Sequence, residues 1–244
     1  MAANGAQRRE HYDTMERMRE REETDVSKQF EDAIGEQVRG AASAISRGAD
    51  PFSVKSSVED VYRQVWLGLV PVFAGPVFER IMATKGHGDD EIAEWAAATE
   101  DYLDGTGAKR VGLIDDTTDV FIRGVIQDGI EEGLGAQATA KALRDKWEDI
   151  SKVRADRIAR TEVVGASNFA SNQAAISTGL DLLKQWLTTP DNRVRDSHRS
   201  MNGATTDMEG TFSNGLFTPA VDLTGNVSAS EIVNCRCTVV YVET

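Results

Sequence analysis

The sequence predicts an α+β protein, with a mainly α-helical N-terminal region followed by a compact C-terminal domain of one long helix and a small β-sheet. Apolar residues recur at helical spacing over roughly residues 58–178. Beyond Gly179 the sequence becomes rich in turn residues, and Asn202-Gly203 is a strong turn signal. The stretch 238–242 is β-branched and aromatic, which is typical of a strand.

The chain is expected to divide into three segments: a charged N-terminal arm (1–50), a helical region (51–115) and the C-terminal domain (116–244). The arm alternates acidic and basic residues, and its apolar positions form only a thin stripe through Tyr12, Met15 and Met18. This pattern predicts an exposed helix, or an arm that becomes ordered on a partner.

Capping and breaking residues predict where the helices begin and end. Ser56 and Glu59 have the spacing of a capping box, and Pro71 is expected to end the helix that follows. Ser151 is expected to cap a long helix over about 152–178. On that helix, Arg157, Arg160 and Glu162 are predicted to form a structural salt-bridge network.

Charge and composition limit the partners of the chain. Its 244 residues carry a formal net charge of −13, with 27 basic and 40 acidic side chains. Such a surface repels nucleic acid at moderate salt, so no strong direct DNA binding is expected. No apolar run approaches the roughly 20 residues of a membrane helix, so no membrane partner is expected either.

Chemically distinctive residues are concentrated in two C-terminal pieces about 35 residues apart. The first piece contains Trp186, Asp191, Arg195, His198, Asn202 and Gly203, and the second contains Asn234, Cys235 and Cys237. We expect the two pieces to meet in space and close the domain, with both sulfurs facing the segment that carries His198. Arg160 and Glu162 belong to the same structural motif.

Three interpretations of His198, Cys235 and Cys237 remain open. They could bind zinc, with a fourth ligand drawn from Asp191, Asp196 or Glu209. They could instead form a dry cluster, in which two small thiols pack and His198 donates to a backbone carbonyl. A catalytic cysteine with His198 as its base is the third. The dry form is preferred because no fourth zinc ligand stands out, so no cofactor is expected and zinc is the alternative.

Five features, taken in order along the chain, resemble the Mu F-like minor head protein family of tailed viruses. They are the Arg157–Glu162 motif, Trp186, the segment from Asp191 to His198, Asn202-Gly203 and the Asn234–Cys237 motif. The resemblance covers about residues 120–242. It implies a structural minor capsid protein that functions in head morphogenesis and has no catalytic residues or enzymatic activity.

The resemblance also implies partners and a location. The expected partner is the portal protein, with the major capsid protein or scaffold as further partners. The protein would be made in the host cytoplasm and reside inside the virion near the portal vertex, where it would affect genome packaging or delivery. Two rival functions are a small metal-dependent hydrolase or nuclease that uses His198, and a protein ejected with the genome to act in the host.

Overall fold

A computed structural model describes residues 5–83 and 86–243. In this part of the chain the helices are α1 (Gly5–Ser46), α2 (Val58–Met82), α3 (Asp89–Tyr102), α4 (Ala108–Glu131), α5 (Ala136–Ser177), α6 (Asp196–Ser200) and α7 (Ala229–Ile232). The strands are β1 (Leu182–Leu187), β2 (Thr205–Asp207) and β3 (Thr238–Glu243). The predicted α+β class is confirmed.

Helix α5 is the centre of the core. Its middle is rich in alanine and other small residues, which lets neighbouring helices approach closely. Helix α1 packs along it most extensively and α2 packs on it next. The indole of Trp66 on α2 stacks on Tyr102 and meets the edge of Phe169 on α5, and all three side chains are buried. Burial of these large rings and of the apolar face of α1 therefore joins the helices into one core.

The N-terminal segment is a helix, but the prediction that it is exposed is wrong. Helix α1 buries residues at helical spacing along its whole length, including Met15, Phe30 and Val38. Arg19, one of the charges that suggested a solvated arm, is fully buried. Several buried positions of α1 are polar, so the apolar residues alone underestimate how much of this helix is buried.

Helix α2 contradicts the predicted stop at Pro71. The helix continues through Pro71 and Pro76 to Met82, although an interior proline costs about 3 kcal/mol. Burial of the aromatic and branched side chains of α2 against α1 and α5 offsets that cost. The predicted capping box is also wrong, because Ser57 is the N-cap residue and the hydroxyl of Ser56 accepts from Val58 N.

Length and mean hydropathy alone would allow the segment Pro51–Met82 to span a membrane, which the sequence analysis did not anticipate. Half of that apolar window is buried inside the protein, however. A buried core helix meets the same criteria, and the contacts of α2 with α1 and α5 are those of a core helix.

The long C-terminal helix begins earlier than predicted. Helix α5 starts at Ala136, preceded by Gly135, and passes without a break through Ser151. The Ser151 hydroxyl donates to Glu31 of α1 at 2.6 Å, so this residue connects two helices and caps neither. The predicted end near Gly179 is confirmed, since α5 ends at Ser177 and Gly179 has a φ of 66°, in the left-handed region.

The sheet is antiparallel with strand order β2-β1-β3. Leu187 at the end of β1 pairs with Thr238 at the start of β3. The chain leaving β1 and the chain entering β3 therefore meet at the same edge of the sheet. The two C-terminal pieces that carry His198 and the cysteines both lie at this edge.

Candidate functional site

The sheet edge brings together the residues that the sequence places about 35 positions apart. After β1 the chain passes through Asp191 and Arg195 into α6, whose middle residue is His198. The segment Asn234–Cys237 leads directly into β3. Asn234 has a φ of 58°, and its backbone N–H donates to the Thr161 hydroxyl on α5 at 3.1 Å. This left-handed turn directs the cysteine segment back towards α6.

His198 contacts both cysteines. Its Nδ1 lies 3.6 Å from the sulfur of Cys235 and 3.6 Å from that of Cys237. All three side chains are buried, with exposed fractions of 1–2%. The edge of Trp186 packs on the imidazole, with ring centroids 5.1 Å apart, and fixes its orientation. The expected meeting of the three residues agrees with this geometry, while a functional role for them stays a prediction.

Glu231 on α7 completes the cluster, although no motif in the sequence marks it. Its Oε2 lies 3.0 Å from His198 Nε2, and it also accepts from the Ser197 hydroxyl. Partial burial alone would raise the pKa of Glu231, but hydrogen bonds from Ser197, Asn214 and His198 lower it below its usual range. The dry interpretation assigned this contact to a backbone carbonyl, which is wrong because the partner is a carboxylate.

The two thiols have different acidities. A hydrogen bond from Cys235, followed by one with the neighbouring His198, lowers the pKa of Cys237 to about 5. Burial raises the pKa of Cys235, and the neighbouring Cys237 raises it further because a second negative charge beside the first is unfavourable. A cation beside both sulfurs would favour the thiolate form of each.

A pocket of about 280 Å³ opens beside the cluster. Four arginines line it together with Asp191 and the cluster itself: Arg160, Arg193, Arg195 and Arg236. Arg193 pairs with Asp191 at 2.9 Å, Arg236 approaches the same carboxylate at 3.8 Å, and Arg195 donates to the Val233 carbonyl. The wall is thus positive in a protein that is acidic as a whole, which suits an anionic or electron-rich ligand.

The structure separates the two helix residues of the motif. Arg160 lines the pocket and pairs with Glu23 of α1 at 3.3 Å. Glu162 lies elsewhere, where its Oε1 accepts from Arg110 at 2.7 Å and its Oε2 accepts from Trp66 at 3.1 Å. The predicted salt-bridge network within one helix is therefore wrong, because both residues pair with other helices.

Asn202 and Gly203 shape the turn that returns the chain to the sheet. The side-chain oxygen of Asn202 accepts from Thr188 N at 3.1 Å, and Gly203 N donates to the Trp186 carbonyl at 2.9 Å. Gly203 has a φ of 86°, which a residue with a Cβ rarely adopts. Both residues position the cluster without lining the pocket.

The three carboxylates considered as a fourth zinc ligand have different positions. The side chain of Asp196 is fully exposed at 103%. Glu209 is exposed and does not line the pocket. Asp191 lines the pocket, but its carboxylate is engaged by Arg193 and Arg236. Of the three, Asp191 alone shares the neighbourhood of the cluster.

Comparison with known families identifies the C-terminal half. Residues 121–240 match the family described as Phage Mu protein F like protein. This part of the chain belongs to the Mu F-like family. The match includes α5, strands β1 and β2, the start of β3 and every residue of the His198 cluster. The match supports a phage structural protein in general terms, associated with virions.

One curated relative of the chain carries an enzyme name. It is NAD(+)--arginine ADP-ribosyltransferase EFV of Enterococcus faecalis, 31% identical over 118 residues. Those residues are 47% of this chain and 24% of that protein. The chain thus spans about a quarter of the length of that relative, and the activity in its name belongs to the relative. No solved structure matches the chain.

Proposed function

We propose that the protein is a minor capsid protein that binds the portal inside the head and affects genome packaging or delivery. The observation that carries this proposal is the Mu F-like match over residues 121–240. Attachment through protein contacts is favoured over attachment through DNA, because the net charge of −13 opposes binding to phosphates.

The structure changes which surface is the best docking candidate. The N-terminal segment 1–50, expected from the sequence as an arm that could become ordered on a partner, is a poor docking candidate, because α1 supplies buried side chains such as Phe30 and Ile34 to the core. Helix α4 instead presents Leu113 and Val120, which are 59% and 69% exposed. They lie seven residues apart and hence on one face of the helix. Exposed apolar side chains on one face are typical of surfaces that bind proteins.

The test is co-purification of the full-length chain with assembled portal oligomers. We expect the unmodified protein to bind and the variant Leu113→Ser/Val120→Ser to bind about 5–30-fold more weakly, since about 1–2 kcal/mol of apolar burial would be lost. Leu180→Ser/Leu223→Ser is the matched control, because these leucines are 50% and 43% exposed elsewhere on the surface. Failure of the unmodified protein to bind portal oligomers would overturn the proposal.

A second candidate function is a small metal-dependent hydrolase or nuclease, which the buried His198–Cys235–Cys237 cluster beside an arginine-lined pocket favours. Hydrolysis of phosphodiester and ester substrates by purified protein, abolished in His198→Gln, would support it.

Locating the protein in full and in emptied particles tests the proposed residence in the head, because a protein that remains in emptied particles is not ejected with the genome.

A further inference from the structure

The geometry points to a zinc site: we infer that His198 Nδ1 and the thiolates of Cys235 and Cys237 bind one Zn²⁺ whose fourth position opens into the arginine-lined pocket. The inference does not depend on portal binding. It concerns one cluster in the described residues, 5–83 and 86–243, whose three ligand atoms all lie within 4.8 Å of one another.

The distances are those that tetrahedral zinc requires. With Zn–S bonds of about 2.3 Å, a Zn–N bond of about 2.0–2.1 Å and tetrahedral angles, a nitrogen and a sulfur ligand lie about 3.5–3.6 Å apart. Both Nδ1–sulfur distances in the structure are 3.6 Å. Both nitrogen–sulfur distances therefore match those of a tetrahedral zinc site.

The direction of the imidazole supports a metal more than a hydrogen bond. Glu231 accepts at Nε2, which places the ring proton there and leaves a lone pair on Nδ1. A single lone pair can accept one S–H hydrogen bond with good geometry, whereas Nδ1 lies at the same distance from two sulfurs. A cation between them satisfies all three atoms. The carboxylate–histidine pair is also the usual outer partner of a zinc-binding histidine.

The pocket explains how three protein ligands suffice. The cluster forms part of a pocket of about 280 Å³, which has room for solvent or a small anion at the fourth position. Asp191 is occupied by Arg193 and Arg236, so the fourth ligand is assigned to the pocket and not to this carboxylate. Zinc binding would release the thiol protons to solvent and connect α6 to the segment before β3.

The experiment is elemental analysis of protein purified from zinc-replete medium, together with Co²⁺ substitution of chelated protein. We expect one zinc per chain and a cobalt spectrum of a tetrahedral site with thiolate ligands. His198→Gln and Cys237→Ser should each lose the metal. His87→Gln, a histidine variant outside the cluster, and Asp191→Asn should each retain it.

A further variant separates ligand loss from misfolding. Glu231→Gln keeps all three ligands and the shape of the side chain, so it should still bind zinc but about 10–100-fold more weakly, in competition with a chelator. Unmodified protein that contains no zinc and takes up no Co²⁺ would overturn the inference. Undiminished metal binding by His198→Gln would also overturn it, because the metal would then lie elsewhere.

Discussion

Replacement of Arg110 by methionine should lower the free energy of unfolding by about 3–5 kcal/mol, the usual cost of removing one partner from a buried ion pair. Arg110 on α4 donates to Glu162 Oε1 on α5 at 2.7 Å and to the Ala220 carbonyl at 2.7 Å. The side chains of Arg110 and Glu162 are only 10% and 4% exposed. Methionine would keep most of the volume while removing the charge and both donors.

The magnitude follows from what the substitution leaves behind. The Glu162 carboxylate would lose its charged donor and keep the indole of Trp66, at 3.1 Å. Losing a hydrogen bond to a charged group costs about 1.5–3 kcal/mol, and leaving the buried Ala220 carbonyl without a donor costs about 1–3 kcal/mol more. Together these contributions reach the range expected for a broken buried pair.

Equilibrium unfolding in guanidinium chloride, followed by circular dichroism and tryptophan fluorescence, measures the effect. Arg63→Met is the matched control, because Arg63 pairs with Glu100 and Asp104 at the surface, where its side chain is 32% exposed. The control should cost less than about 1 kcal/mol. The double variant Arg110→Met/Glu162→Gln should recover part of the loss, since it removes the uncompensated charge. A loss below about 1 kcal/mol for Arg110→Met would refute the reasoning.

Two further predictions concern pH and nucleic acid. Burial, followed by the positive charge of Arg80, lowers the pKa of His11 to about 3 from 6.5. The unfolded chain therefore takes up this proton first, and stability that is present above about pH 6.5 is lost as the pH falls towards about 3. Thermal melts between about pH 7 and pH 4 should show a shallower loss for His11→Gln than for the unmodified protein, and equal slopes would contradict this assignment. Duplex DNA should bind weakly in fluorescence anisotropy at about 0.15 M salt, and a Kd tighter than about 1 µM would contradict the electrostatic argument.

Local sequence signals predicted the C-terminal half best. Asn202-Gly203 and Gly179 adopt the turn and helix end that their types favour, and the β-branched segment 238–242 lies within strand β3. These features depend on near neighbours in the chain. Lys184 shows the limit of such reasoning, because a lysine in the middle of a strand is buried with its ammonium 3.5 Å from the centre of the Phe217 ring.

Tertiary packing decided the features that the sequence analysis missed. Pro71 lies inside α2 because burial of the surrounding side chains exceeds the local cost. Glu231 could not be assigned to the cluster from the sequence. Its Ser-Glu segment is typical of an exposed loop, and nothing in it indicates a contact with His198, which lies 33 residues earlier. The two cysteines and His198 were identifiable because these residue types are rare in the chain and chemically specific.

The buried Arg19 shows why the part of the chain that matches the family is not the whole folding unit. This arginine on α1 donates to Ser167 at 2.7 Å and to Asn168 at 3.0 Å on α5, and to Thr238 at 3.2 Å on β3. All three acceptors lie within 121–240, whereas Arg19 lies about a hundred residues before that range. Without α1 these buried acceptors would lose their charged donor, and the alanine-rich face of α5 would be exposed to water. The sheet edge that carries His198, Cys235 and Cys237 is therefore held in place from outside the Mu F-like segment.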